Sequence, residues 1–186
     1  MPDTDLTLAR TGGRKLTRIV YSAEQIAERV REMGRQIARE LPADEPVLVL
    51  GLLKGSFIFL SDLVREITRP LQVDFLVASS YGSGTTSSGQ VNLLYETPAS
   101  IEGKHVVLVE DIVDSGTTLN RLIPLLRGRN IKSLEICALL HKHIATDLAQ
   151  EPRWLGFDCP LEFVIGYGLD HSEFYRNLPF IGVIAP

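Results

Sequence analysis

Val106-Val-Leu-Val-Glu-Asp-Ile-Val-Asp-Ser-Gly-Thr-Thr-Leu119 decides the reading of this chain. Its first four residues, Val106 to Val109, are β-formers in unbroken series, the pattern of a strand buried on both faces. The strand is expected to end at two adjacent carboxylates, Glu110 and Asp111. Two apolar residues then lead to Asp114-Ser115-Gly116-Thr117-Thr118, and an amphipathic run follows from Leu119 to Leu126. Gly116 permits a tight backbone path, and Ser115, Thr117 and Thr118 place hydroxyls where a helix begins. The free N–H groups and positive dipole end of a helix start make an anion site. A phosphate held there has two carboxylates one short step away. Carboxylates repel that phosphate, so their partners are a polyol, a Mg²⁺ ion or a proton. A sugar phosphate meets all of these requirements together.

The rest of the chain sets the limits. Its 186 residues fit one domain with a substantial core. Hydrophobic content of 45% and charged content of 23% are those of a soluble globular protein. A net charge of -4 argues against nonspecific nucleic-acid or membrane partners. The longest evident apolar run, Val47 to Leu53, is too short to cross a bilayer. The first fifteen residues are polar and lack a signal-peptide core. Cys137 and Cys159 lie in apolar settings and read as buried reduced thiols rather than a disulfide. A cytoplasmic compartment is therefore expected.

Periodicity predicts strands alternating with helices. A strand over Thr17–Tyr21 precedes Ser22-Ala-Glu-Gln25, which fits a capping box, and Ile26, Val30, Met33 and Ile37 follow at helical spacing. Pro42 and Pro46 close that helix. Val47 to Leu52 reads as a buried strand, and Leu53-Lys54-Gly55-Ser56 turns into a helix ending near Ile67. Further strands are expected at Val73–Ser79, Val91–Tyr95, Ser133–Leu140 and Phe163–Tyr167, with Lys142–Arg153 irregular. Residues 81–90 are rich in Gly, Ser and Thr, and read either as a plain loop or as a lid. This alternation implies a mostly parallel sheet flanked by helices, an α/β fold with right-handed crossovers. Ligands of such sheets sit beyond the carboxyl ends of the strands, where Lys54, Glu110 and Lys142 all fall.

The hydrophobic strand, acidic pair and Asp-Ser-Gly-Thr-Thr loop resemble the phosphoribosyl-diphosphate (PRPP) motif of type I phosphoribosyltransferases. A dozen consecutive positions fit, and the likeness extends further. Leu53-Lys54-Gly55-Ser56 is similar to that family's pyrophosphate loop, and Ser79-Ser80-Tyr81-Gly82 to the start of its lid. Leu139 to Lys142, and Phe163-Val-Ile-Gly-Tyr-Gly-Leu-Asp170 through Tyr175-Arg176, resemble the purine and pyrophosphate segments of its hypoxanthine branch. The likeness runs from about residue 17 to residue 184. It implies the type I phosphoribosyltransferase fold as a single domain over 1–186. The core would be about 40–150, and a small hood would come from the N-terminal segment and about 155–186.

The resemblance also implies roles. Asp114 would be the general base, facing the purine N7, and residues Asp114, Ser115, Gly116, Thr117 and Thr118 would hold the 5-phosphate. Glu110 and Asp111 would face the ribose hydroxyls and Mg²⁺, with Asp170 contributing to a second Mg²⁺. Lys54, Gly55 and Arg176 would hold pyrophosphate. Lys142 would donate to the purine O6, Phe163 would stack on the ring, and the Val164 and Asp170 backbones would meet its pyrimidine edge. Ser80 and Tyr81 would ride the lid. A cis Leu53–Lys54 peptide is part of the family pattern, and the residues alone leave it open. The implied reaction joins hypoxanthine, and guanine as well, to PRPP in purine salvage, by a homodimer or homotetramer with Mg²⁺ as cofactor.

Alternatives bound this reading. Lys54-Gly55 is not a Walker loop, since the lysine precedes the glycine and no G-x-x-x-x-G-K-[ST] spacing exists. The histidine and aspartate spacing makes no transition-metal site, and His171 reads as a surface or packing residue. A PRPP-sensing regulator on this fold should carry a basic face and a degraded base pocket, whereas this chain is acidic and keeps Lys142, Phe163, Asp170 and Arg176. A xanthine-preferring transferase stays open. One departure stands out: His143-Ile-Ala-Thr146 replaces the proline and basic residues that many hypoxanthine enzymes carry after the lysine.

Overall fold

The computed structural model describes residues 8–80, 91–95 and 100–184. The predicted lid segment, Tyr81 included, lies outside them. A six-stranded sheet runs in the order β4-β3-β2-β5-β6-β7. Its strands are β2 (Val47–Leu53), β3 (Gln72–Ser80), β4 (Val91–Tyr95), β5 (His105–Val113), β6 (Ser133–His141) and β7 (Trp154–Asp158). All pairings are parallel except β3 with β4. The helices are α1 (Ala23–Glu40), α2 (Phe57–Glu66) and α3 (Thr117–Arg127).

The alternation of side chains along the buried strands explains the layering. Val47 and Val49 of β2, Val107 and Val109 of β5, and Cys137 and Leu139 of β6 face one core with Ile26, Val30, Met33 and Ile37 of α1 and Phe59, Leu60 and Leu63 of α2. Leu48, Leu50, Val106, Leu108, Ile136 and Ala138 face a second core with Leu119, Leu122, Ile123 and Leu126 of α3. Each fully buried side chain of this kind stabilises the fold by roughly 1.5–3 kcal/mol. Ser22 and Gln25 form the expected capping box at the start of α1, and both cysteines are buried and free.

Going from β2 the chain moves outward to β3, and from β5 outward to β6 and β7, so β2 and β5 are neighbours at which the winding reverses. A crevice opens at such a point beyond the carboxyl ends of the two strands. Lys54-Gly55-Ser56 leaves β2 there, and Asp114-Ser115-Gly116 leaves β5.

A second sheet pairs β1 (Leu16–Tyr21) antiparallel with β8 (Ile181–Ile184). The segment preceding β8 hangs from it, because Ile165 and Gly182 exchange backbone hydrogen bonds of 2.9 and 3.0 Å. The Tyr167 hydroxyl donates to Asp62 Oδ2 of α2 at 2.6 Å and ties this segment to the main sheet's helical layer.

Three expectations need correction. β5 does not end at the acidic pair: Ile112 and Val113 continue it, paired with Leu140 and His141 of β6. Backbone pairing with these two β6 residues extends the ladder past the charges. Phe163–Tyr167 is not a strand, since Gly166, Tyr167 and Gly168 all take positive φ (98°, 50° and 102°) and leave only isolated bridges. The sheet's last strand is instead Trp154–Asp158, just beyond the stretch read as irregular. It has five residues with a glycine at its centre, which leaves little periodicity to read.

Candidate active site

The loop after β5 and the start of α3 enclose a cavity of about 70 Å³ lined by Glu110 and residues Ile112 through Leu119. Gly116 occupies the N-cap of α3 at φ 76°, and no side chain caps the helix. The left-handed backbone suits glycine, and a Cβ there would also lie 2.6 Å from Leu148 Cδ1. With no side-chain cap, the first-turn amides of α3 face the cavity as donors for an anion. Ser115 and Thr117 add hydroxyls, 3.0 Å apart.

The two adjacent carboxylates diverge, as neighbours on a strand must. Glu110 turns to the α3 side and lines the phosphate-sized cavity, 8% exposed. Its Oε2 is buried with no hydrogen-bond partner. Burial, and secondarily the Asp111 charge, push the Glu110 carboxyl well above the usual carboxylate range. Asp111 turns to the opposite side, against Gly55. Burial raises it to about 6, while the Ile112 amide, donating to Oδ1 at 2.9 Å, opposes the rise.

Beside the cavity, Lys142 leaves β6 and its Nζ lies 2.9 Å from Asp114 Oδ2. The lysine side chain is 13% exposed and the aspartate 48%, so the pair presents an acceptor at the mouth and a donor behind it. The Lys142 amide donates to Val113 O at 2.9 Å, which fixes the lysine beside the β5 exit.

On the Asp111 side three segments stack closely, the Asp111 carboxylate against Gly55 and the Gly55 backbone against Gly168. A Cβ on Gly55 would lie 1.6 Å from Asp111 Oδ2, and one on Gly168 would lie 2.0 Å from the Gly55 carbonyl oxygen. The Leu53–Lys54 peptide that begins this turn is cis. Arg176 Nη1 donates to the Gly168 carbonyl at 2.8 Å, and Nη2 contacts Asp170 Oδ1 at 2.8 Å. Gly168→Ala is expected to cost roughly 1–3 kcal/mol, because alanine resists φ 102° and its methyl meets backbone. A melting temperature lower by roughly 3–10 °C would record that loss; an unchanged one would mean that the two loops can part.

Of the residues singled out in the sequence, Glu110 and residues 114–118 share one cavity, with Lys142 paired to Asp114. Lys54, Gly55, Asp111, Asp170 and Arg176 gather in the stacked cluster. Val164 is buried and Phe163 is 58% exposed, its ring meeting the His171 ring edge-on at 5.6 Å. Ser80 ends β3. Sequence reasoning passed over Gly168 and Glu173. Glu173 accepts from Lys54 Nζ at 3.1 Å and from Arg176 Nη2 at 3.2 Å. Lys54 first and Arg176 second hold its carboxyl below the usual range. A Gly-x-Gly around Tyr167 was a usable signal for close packing, whereas nothing local marked Glu173.

The model of the phosphoribosyl transferase domain matches residues 18–172. The chain belongs to the phosphoribosyltransferase family. The hypoxanthine-guanine phosphoribosyltransferase of Dictyostelium discoideum is 44% identical over 167 residues, covering 88% of this chain and 93% of that protein. A hypoxanthine phosphoribosyltransferase structure from Staphylococcus aureus matches with a TM-score of 0.87 at 41% identity over 92% of each chain. The bifunctional protein TilS/HprT of Listeria innocua is 43% identical over 171 residues, and this chain spans 26% of its length. Relatives and structural neighbours thus place the chain in the hypoxanthine-guanine branch of the phosphoribosyltransferases. Among the described residues no helix is long and apolar enough to cross a membrane.

Proposed function

We propose that the chain transfers the 5-phosphoribosyl group of PRPP to N9 of hypoxanthine, and of guanine, releasing pyrophosphate and forming IMP or GMP. The observation that carries this reading is the Asp114–Lys142 pair, 2.9 Å apart at the mouth of the cavity built by the β5–α3 loop. An anion cradle joined to one acceptor and one cationic donor suits a phosphorylated sugar beside a 6-oxopurine. Adenine presents an amino donor at that position, which the lysine cannot satisfy.

In the proposed reaction the C1–O bond to pyrophosphate breaks as N9 forms its bond to C1. Asp114 takes the imidazole proton from N7, and the bond electrons leave on pyrophosphate. The α3 amides and the hydroxyls of Ser115, Thr117 and Thr118 hold the 5-phosphate, so the ribose is fixed while charge separates. Lys54 and Arg176 receive the growing negative charge of the leaving group. Phe163 covers the base, and the Val164 and Asp170 backbones read its edge. The β1–β8 sheet with the 163–176 segment serves as the hood.

The donor set fits Mg²⁺. The hard carboxylate oxygens lie in two places: the partnerless Glu110 Oε2 lines the β5–α3 cavity, whereas Asp111 and Asp170 lie on the opposite side with Arg176. Each place offers the one or two carboxylates that Mg²⁺ typically takes before completing its shell with substrate oxygens and water. When bound there it neutralises diphosphate charge. The same reading makes the protein a cytoplasmic homo-oligomer acting on small molecules.

Hypoxanthine, guanine, xanthine and adenine offered separately with PRPP test the proposal. Mg²⁺-dependent formation of IMP and GMP is expected. Preference for adenine, or full activity in excess chelator, would overturn it, and preference for xanthine would move the chain to the neighbouring specificity.

A further inference from the structure

Glu173 reaches both cations that the proposed reaction assigns to pyrophosphate. A single oxygen, Oε2, accepts from Lys54 Nζ at 3.1 Å and from Arg176 Nη2 at 3.2 Å. The loop aims this carboxylate: Glu173 stands at φ 69°, and its amide donates to Asp170 Oδ2 at 2.8 Å. A non-glycine residue rarely takes that backbone, so its position is imposed by the surrounding loop. The neighbouring Asp170 meanwhile spends its other oxygen on Arg176.

We propose that Glu173 is an internal competitor of pyrophosphate: its carboxylate sits at the anion position between Lys54 and Arg176, and the diphosphate displaces it. This deepens the phosphoribosyltransferase reading and rests on it. A phosphate oxygen makes the same two charge-assisted contacts, and two anions cannot share them. Arg176 does not have to move in the exchange, because the Gly168 carbonyl and Asp170 hold the guanidinium, which is 18% exposed. Lys54 and Glu173 are 65% and 64% exposed, so the bonds given up are weak and water-screened. A weak competitor tethered in the site loosens any diphosphate held by these two cations, that of PRPP as well as released pyrophosphate, by a modest factor. It acts on the diphosphate alone, since it makes no contact with Asp114 or Lys142 in the base-reading pair.

Glu173→Gln, close in shape and neutral, tests this against wild type and Glu173→Asp. Three quantities are read for each: the calorimetric Kd of magnesium pyrophosphate, its inhibition constant against PRPP, and the KM of hypoxanthine. The glutamine variant is expected to bind pyrophosphate roughly threefold to tenfold more tightly, the scale set by two exposed ion pairs. Its hypoxanthine KM should stay within about twofold, and the aspartate variant, which keeps the charge, should lie nearer wild type. A purely structural role would move both constants together. Unchanged or weaker pyrophosphate binding by the glutamine variant, in a wild type that binds pyrophosphate and forms IMP, overturns the proposal and leaves the functional reading intact. A wild type that does neither overturns both.

Discussion

Asp114→Asn is expected to lower turnover by roughly 10²–10⁴-fold while PRPP affinity stays near wild type. The amide keeps the size and the backbone of the residue, so the cavity lined by Asp114 to Thr118 retains its shape. What it loses is the carboxylate at the mouth of the cavity that the proposed reaction uses as base. It also changes the partner of Lys142, whose ammonium sits 2.9 Å from the carboxylate. An amide oxygen still accepts that hydrogen bond, so the lysine is expected to stay in place. The contrast is with Glu110→Gln and Asp111→Asn, which should weaken PRPP–Mg²⁺ binding more than turnover at saturation. Single-turnover kinetics with separately measured PRPP affinity distinguish the two patterns. Near wild-type turnover in Asp114→Asn would reassign the base and leave Asp114 a loop residue.

The parts of the site that were legible in the sequence are local. Residues Glu110 to Thr118 are contiguous, and a strand followed by Gly116 and a helix start dictates the anion cavity from adjacent positions alone. The same locality made β2, β5 and β6 readable, because every residue from Val47 to Leu50 and from Val106 to Val109 is buried and apolar. Local reading failed where distant contacts decide. Ile112 and Val113 stay extended because Leu140 and His141 lie beside them. The 163–176 segment takes its path from Gly55 and Asp62, both remote in sequence, and from the β8 strand that follows it, and not from its own apolar residues. Strand propensity at Phe163 to Tyr167 was therefore overruled by the glycine contact at Gly168. Glu173 belongs to the same class, since its partner Lys54 lies 119 residues away in the sequence.

Lys142→Ala should reduce kcat/KM for hypoxanthine by roughly 10- to 150-fold, the equivalent of losing a charge-assisted hydrogen bond of about 1.5–3 kcal/mol. Both geometry and burial favour an effect of that size. At 13% exposure the lysine is screened far less than a surface cation, and its amide is locked to Val113 O at 2.9 Å. Its Nζ points toward Asp114, the residue that meets the purine N7 in the proposed reaction, so the ammonium is placed where a 6-oxo group next to N7 would accept. Alanine removes that donor and leaves the O6 desolvated without a partner. PRPP affinity should change much less, because Lys142 does not line the cavity proposed to hold the 5-phosphate. Discrimination against adenine should relax, since the lysine's charge is what opposes an amino donor. The Asp114 pairing adds a second consequence: combining Lys142→Ala with Asp114→Asn should cost less than the product of the two single effects, because the residues act as a unit. Equal losses for base and PRPP in the single variant would show instead that Lys142 only organises the β5–β6 exits, and full multiplicativity in the double variant would separate it from Asp114.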